Sequence, residues 1–368
     1  MNGLDRIYAQ CRQGGRLSLE QGLRLWREAP LLDLGDLAHA ARLRAVPAQE
    51  VSFVLDTNLN YTNICDAGCA FCAFWRGPQA PGAYTLTVLE MIAKIKRSVE
   101  QFGVTTVLIQ GGLNPALPFE YYTGLVAAIR REVPQVHPHL YSAPEIWKMA
   151  QVTGQSIRWV LERLKQAGLD TLPGGGAEIL TDRVRRQLSR AKVDTAHWLE
   201  IHETAHSLGY LSTATMMFGH LDTEQDILEH LEAIRGLQDR THGFTAFIPW
   251  SFKPGNTALA SQVTAMAGPS VYLRVLALSR LYLDNFAHIQ ASWFSEGKKT
   301  GQIALHFGGD DFGGTVFEEE VHAKANYVNK TSLEGITGMI RGAGFTPVQR
   351  DTKYATLKRY PGPEQAAA

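Results

Sequence analysis

From Val51 onward, short β-rich runs alternate with amphipathic helical stretches, and no other feature constrains the fold of this 368-residue chain as strongly. Strands are expected at 51–55, 105–109, 139–142, 171–172, 213–218, 244–250, 289–293 and around 315–317. The stretches between them carry apolar residues at helical spacing. In 86–102, for example, Leu89, Ile92, Ile95 and Val99 fall on one face, and Ile157, Val160, Leu161 and Leu164 do so further on. Eight strands alternating with helices specify an α/β chain with a parallel (β/α)₈ TIM-type barrel. An open or incomplete barrel of six units is the alternative. Residues 1–48 read as a short helical N-terminal extension, with Ser18-Leu19-Glu20-Gln21 as a capping box. The barrel is expected over 49–345 and a C-terminal tail over 346–368.

Three of the four cysteines fall in Cys65-Asp66-Ala67-Gly68-Cys69-Ala70-Phe71-Cys72, directly after the first strand. This is a poor disulfide framework but suits a soft metal in a reducing compartment. Three thiolates on one loop can hold three irons of a four-iron cluster and leave the fourth open to a small chelating ligand. Cys11 stands alone in a helical stretch and reads as a small buried hydrophobe. A zinc site completed by a histidine is the competing reading, but no histidine lies near the loop.

His202-Glu203-Thr204-Ala205-His206 spells the HExxH pattern of zinc hydrolases. It falls on an expected outer helix whose apolar stripe is Trp198, Ile201, Ala205 and Leu208, so its histidines should pack or face solvent. A non-enzymatic iron-sulfur carrier is a third reading. It leaves unexplained two Gly-rich turns, Gln110-Gly111-Gly112 and Pro173-Gly174-Gly175-Gly176-Ala177-Glu178, at the strand ends where barrels build active sites. Acidic and basic residues balance at 36 each, so no overall field draws nucleic acid or an anionic membrane. With no signal-peptide pattern and no membrane-spanning run, a cytoplasmic location is expected.

The CxxxCxxC spacing, with Phe71 before the last cysteine, resembles the radical S-adenosylmethionine (SAM) superfamily. Longer segments narrow the resemblance. They are Asp56-Thr57-Asn58-Leu59-Asn60-Tyr61-Thr62-Asn63, Cys72-Ala73-Phe74-Trp75-Arg76, Thr215-Met216-Met217-Phe218-Gly219-His220 and Phe247-Ile248-Pro249-Trp250-Ser251-Phe252-Lys253-Pro254-Gly255-Asn256-Thr257. Together they resemble the cyclic dehypoxanthine futalosine synthase family of the futalosine route to menaquinone, as far as about residue 345. Aminofutalosine synthases and deazaflavin precursor synthases share the cysteine loop, the Gly-Gly-Gly-Ala-Glu turn and the Gly-His pair, and stand as alternatives. Asp310 occupies a position where the cyclic enzymes more often carry Asn.

The resemblance implies a 4Fe-4S cluster on Cys65, Cys69 and Cys72, with SAM on its open iron. Phe71, Gly111, Gly112, Ser142 and Glu178 are the positions it places around SAM. It also implies an external one-electron donor such as flavodoxin or ferredoxin. SAM cleavage would give a 5′-deoxyadenosyl radical that takes the 4′ hydrogen of dehypoxanthine futalosine before a spiro ring closes. Such a substrate needs partners for a benzoate and ribose hydroxyls, and a proton acceptor. His220, Asp310 and Asp311 are the catalytic candidates. Tyr61, Trp250, Gln290 and Ser292 are the candidates for holding substrate.

Overall fold

A computed structural model describes residues 3–47, 49–189 and 191–362. Three helices come first, Gly3–Arg12, Leu19–Glu28 and Leu31–Ala45. The second opens on the expected capping box: Ser18 Oγ accepts from the Gln21 N–H at 3.2 Å, and Gln21 Oε1 accepts from the Ser18 N–H at 2.9 Å. The third lies along helix Pro269–Tyr282 and so docks the extension on the outer layer.

The strands are β1 (Glu50–Val54), β2 (Asp56–Leu59), β3 (Thr106–Ile109), β4 (His137–Leu140), β5 (Thr171–Leu172), β6 (Leu211–Phe218), β7 (Phe244–Ser251), β8 (His288–Ile289), β9 (Asp311–Gly314), β10 (Thr346–Arg350) and β11 (Thr356–Arg359). β1 and β2 are one stave broken at Leu55, so β1 to β9 supply the eight expected staves. β2, β3 and β4 pair in parallel, as do β5 to β8, and β1 pairs with β9. Thr171 Oγ1 crosses from β5 to β4 by donating to the Pro138 carbonyl at 3.2 Å. A parallel Gln290–Asp311 bridge joins β8 to β9. The result is the (β/α)₈ barrel, with its helices outside.

Period-two alternation sorts each stave into two faces. On β3, Val107 and Ile109 are fully buried, whereas Thr106, Leu108 and then Gln110 line a central cavity. Leu125, Ile129, Leu161, Leu164, Ile201, Leu231 and Val275 fill the layer between sheet and helices and are fully buried. Each such side chain contributes about 1.5–3 kcal/mol. Helix Val88–Phe102 differs in one detail from its sequence pattern. Leu89 is 77% exposed, because the buried face centres on Met91 and Ile95, and Met91 lies about 200° around the helix from Leu89.

The larger correction is at the C-terminus. The expected tail at 346–368 begins as sheet: β10 pairs in parallel with β1, and β11 pairs antiparallel with β10. The chain returns to the first stave and carries Arg350 to the inside of the barrel. Residues 363–368 lie outside the described residues. No helix among the described residues is long and apolar enough to cross a membrane.

Candidate active site

The cysteine loop leaves the end of β2 and is tied down on several sides. Cys65 N–H donates to the Arg76 carbonyl at 3.0 Å, Ala70 N–H to the Leu188 carbonyl at 2.8 Å, and Ser189 Oγ to the Ala67 carbonyl at 3.0 Å. Lys148 pairs with Asp66 at 2.8 Å. Gly68 turns the loop at φ +57°, in the left-handed region that favours glycine. Gly112 lets β3 dock against it, since a Cβ there would lie 2.1 Å from the Ile64 carbonyl oxygen. The need for glycine at this position comes from the protein's own backbone.

All three loop cysteines share one small apolar nook with Ala67, Leu113 and Phe71. They are free thiols, as is Cys11, which is buried among the N-terminal helices. Burial pushes the Cys69 thiol up to about 11 and raises Cys72 as well. Among the described residues, no three Cys, His, Asp or Glu side chains converge tightly enough to hold a single metal ion. A cubane makes a different demand, because each thiolate takes its own iron and the sulfurs must surround a volume. Three thiols around one nook fit that demand.

Beside the cysteines stands Glu178, at φ +41° after the glycine turn. Lys192 Nζ donates to its Oε1 at 2.6 Å and sits 5.2 Å from the Phe71 ring centroid. The other carboxylate oxygen, Oε2, is buried without a partner. Arg185 clamps the turn by donating to the carbonyls of Gly176, Ala177 and Val193. Glu178 borders both a shallow recess it shares with Phe71 and Lys192 and the central cavity. A buried carboxylate oxygen lacking a donor, next to three thiols, suits the hydroxyl or ammonium groups of SAM.

Gly111, Ser142 and Tyr61 do something else. The Gly111 N–H and the Tyr61 hydroxyl both donate to Glu145 Oε1, at 3.0 and 2.7 Å, and the Ser142 hydroxyl donates to Glu145 Oε2 at 2.6 Å. Tyr61 is fully buried and does not border the cavity. These residues form a buried support around Glu145, behind the start of the cysteine loop. The signal for it was the Ser142-Ala143-Pro144-Glu145 capping box.

The central cavity holds about 280 Å³. Its wall is the inward set of the staves: Asp56 and Asn58, Leu108, His139, Thr213 and Thr215, and Ile248 and Trp250. Gln290 and Ser292 follow β8. Three of the four substrate candidates, Trp250, Gln290 and Ser292, thus border this cavity. Arg350, Thr352 and Tyr354 from the C-terminal segment also border the cavity, as do Phe294, Glu319 and His322. The His322 ring stacks on Phe294 at 4.7 Å and lies 5.3 Å from Trp250. Burial holds Asp56 up at about 6, partly opposed by the Val316 N–H and by Arg350. Glu319 stands at about 7 for the same reason, and burial keeps His139 and His322 neutral, down at about 3.

The three catalytic candidates are corrected by their partners. The His220 ring donates through Nε2 to the Met217 carbonyl at 2.9 Å and accepts the Leu221 N–H at Nδ1 at 2.7 Å, which turns it away from the cavity. Asp310 pairs with Arg280 and with His288. Asp311 takes Arg350 through both oxygens, at 2.5 and 3.0 Å. β9 starts at Asp311, so both aspartates lie at the N-terminal edge of the barrel, opposite the end that carries the cysteines. Period two on β2 could have found Asp56. Nothing local in sequence marks Glu319 or Arg350.

The HExxH motif is part of the core. His202 and His206 both hydrogen-bond Ser212 Oγ on β6, at 3.1 and 2.7 Å, and their rings pack on Trp198 and Phe244. Glu203 points the other way and pairs with Arg240 at 3.0 Å. The three side chains do not face a common point.

Comparison with known proteins agrees with this geometry. A family profile for the radical SAM superfamily matches residues 59–234, and one for the CofH/MqnC C-terminal region matches 241–362. A cyclic dehypoxanthine futalosine synthase of Halalkalibacterium halodurans is 38% identical over 99% of this chain and 97% of its own. A 5-amino-6-(D-ribitylamino)uracil–L-tyrosine 4-hydroxyphenyl transferase of Methanopyrus kandleri is 42% identical over 88% of each chain. An aminodeoxyfutalosine synthase of Thermus thermophilus is 39% identical over 96% and 95%. Among solved structures, methylornithine synthase superposes with a TM-score of 0.71 at 16% identity, covering 93% of this chain and 97% of that one. The hydrogenase maturase HydG from Carboxydothermus hydrogenoformans gives 0.73 at 17%, covering 95% and 80%. These two share the fold.

Proposed function

The chain belongs to the radical SAM superfamily, and within it we propose that it closes dehypoxanthine futalosine into its cyclic product for menaquinone synthesis. The observation that carries this reading is positional. Asn58, from the segment at 56–63, and Trp250, from the segment at 247–257, both border the central cavity. Two of the segments that carry the resemblance thus reach the cavity, where a barrel reads its substrate.

Cys65, Cys69 and Cys72 would hold the cluster, and Glu178, Phe71 and Lys192 would receive SAM. When bound, this pair supplies one electron and a carbon radical able to take hydrogen from an unactivated C–H bond. The chain's own residues do the rest. Glu178 offers its free oxygen to SAM. Asn58, Gln290 and Ser292 offer hydrogen bonds to sugar hydroxyls. Trp250, Phe294 and His322 form an aromatic wall that excludes water. Glu319, raised to about 7 by burial, is the carboxylate at the cavity that would accept the proton released, along with one electron, when the ring regains aromaticity. Flavodoxin or ferredoxin is the class of electron donor this chemistry calls for.

The identity to the Methanopyrus transferase, 42%, favours a second reading in which the aromatic partner is tyrosine. Product analysis separates the two. Anaerobically reconstituted enzyme is supplied in parallel with dehypoxanthine futalosine, with an enolpyruvyl benzoate, and with tyrosine plus the ribitylaminouracil. Consumption of the first alone is expected. Consumption of either alternative assigns the enzyme to that reaction.

A further inference from the structure

We propose that Arg350, delivered by β10, anchors the carboxylate of an aromatic acid substrate at the N-terminal end of the cavity. The proposal rests on the substrate reading above and names the residue that the reading lacks.

Among the described residues bordering the cavity, Arg350 is the one side chain with a permanent positive charge. Its Nε and Nη2 donate to Asp311, and Nη1 donates to the Asp351 carbonyl at 3.0 Å. A guanidinium carries five N–H groups, so one on each Nη remains for a ligand. Two such donors side by side match the two oxygens of a carboxylate. Tyr354 fixes the plane of the group, with its ring 3.9 Å from the guanidinium carbon, and is itself stacked on His288 at 3.8 Å.

Position supports the same role. The register pairs Phe53 with Gln349, which sets Arg350 level with Val54, whereas the cysteine loop follows β2. At about 3.3 Å per residue, about 17 Å of strand separates Val54 from the end of β2 at Leu59. A substrate held by its benzoate at Arg350 therefore extends its sugar toward Glu178 and the cysteines. The acidic groups facing Arg350 are Asp311 and Asp56. Asp311 also accepts from Ser52 Oγ at 2.6 Å and the Gly313 N–H at 2.8 Å, which spread its charge. Asp56, raised by burial, takes a proton when a second carboxylate arrives.

The test compares acids with amides. Binding of dehypoxanthine futalosine and its carboxamide, and of benzoate and benzamide as minimal probes, is measured on cluster-loaded wild type and Arg350→Gln by ligand-detected NMR. Wild type should prefer each acid by roughly ten- to a hundredfold, the worth of a charged hydrogen-bonded pair. Arg350→Gln should bring the ratio near one, and Arg350→Lys should retain part of it. If Arg350→Gln fails to fold because Asp311 loses its partner, Arg350→Gln/Asp311→Asn removes both charges and should lose the preference too. Equal binding of benzoate and benzamide by wild type, or an undiminished preference in Arg350→Gln, overturns the proposal. A wild type that ignores the futalosine compound but keeps an Arg350-dependent preference for benzoate sinks the substrate reading and upholds the anchor.

Discussion

Replacing Asp56 by Asn should stabilise the protein, increasingly so as pH rises from 3.8 to about 6. The Asp56 carboxyl is raised from 3.8 to about 6, chiefly by burial. At about 1.36 kcal/mol per unit, that shift corresponds to roughly 3 kcal/mol. The sign follows from proton counting. Below the unfolded value of 3.8 both states carry the neutral carboxyl, and its contribution is fully present. As pH rises through the folded value near 6, the wild type loses that contribution, because the unfolded chain ionises more readily. Asn stays neutral throughout, and its carbonyl oxygen can still accept the Val316 N–H, held at 2.7 Å in the wild type. An unfolding entropy of about 2.1 cal/mol/K per residue makes each kcal/mol worth roughly 1.3 °C in a chain of 368 residues. Thermal unfolding of cluster-free protein, followed by circular dichroism, should therefore show the Tm difference between variant and wild type growing by about 3 °C between pH 4 and pH 8, with its midpoint at about 5, between the unfolded and folded values. Other titrating groups cancel in the difference. A flat difference, or a variant that grows relatively less stable with rising pH, would mean that the attraction of Arg350 outweighs burial and that the reasoning about this cavity is wrong.

Three further outcomes are expected. Alanine at Cys65, Cys69 or Cys72 should abolish the roughly four irons and four sulfides of the reconstituted protein, whereas Cys11→Ala should keep them; iron and sulfide assays decide. Glu178→Gln should weaken SAM binding by roughly ten- to a hundredfold with iron content unchanged, read by equilibrium dialysis of labelled SAM. Glu203→Ala, which removes only an exposed ion pair, should shift stability by no more than about 0.5 kcal/mol and leave turnover intact; loss of turnover in the folded variant would restore a role for the HExxH motif.

Much of this molecule is legible in its residues because the physics is local. The strands follow from apolar runs, Ser18 from its capping box, and the cysteine loop from thiol spacing. Trp250, Gln290 and Ser292 reach the cavity because alternation on β7, and just beyond β8, puts them inward. Asp56 follows from the same rule on β2, and was hidden only by being taken as part of a longer segment. What could not be read depends on contacts between distant parts of the chain. Tyr61, Gly111 and Glu145 meet from beyond three different staves. His220 sits at a strand end, where a catalytic role is plausible, yet both ring nitrogens are taken by backbone. Asp310 and Asp311 are bound by Arg280 and Arg350, and Arg350 reaches the barrel through a strand that pairs with β1 across almost the whole chain. Two histidines four residues apart suggest zinc until Ser212 is seen to bond both of them.

In the proposed reaction this barrel directs hydrogen abstraction to the 4′ carbon of dehypoxanthine futalosine. Substrate deuterated only at that carbon is incubated anaerobically with reconstituted enzyme, SAM and a reductant, and the 5′-deoxyadenosine formed is analysed by mass spectrometry. One deuterium should move to 5′-deoxyadenosine as the cyclic product forms. Unlabelled 5′-deoxyadenosine alongside cyclic product, or label arriving only from another ribose position, would contradict it.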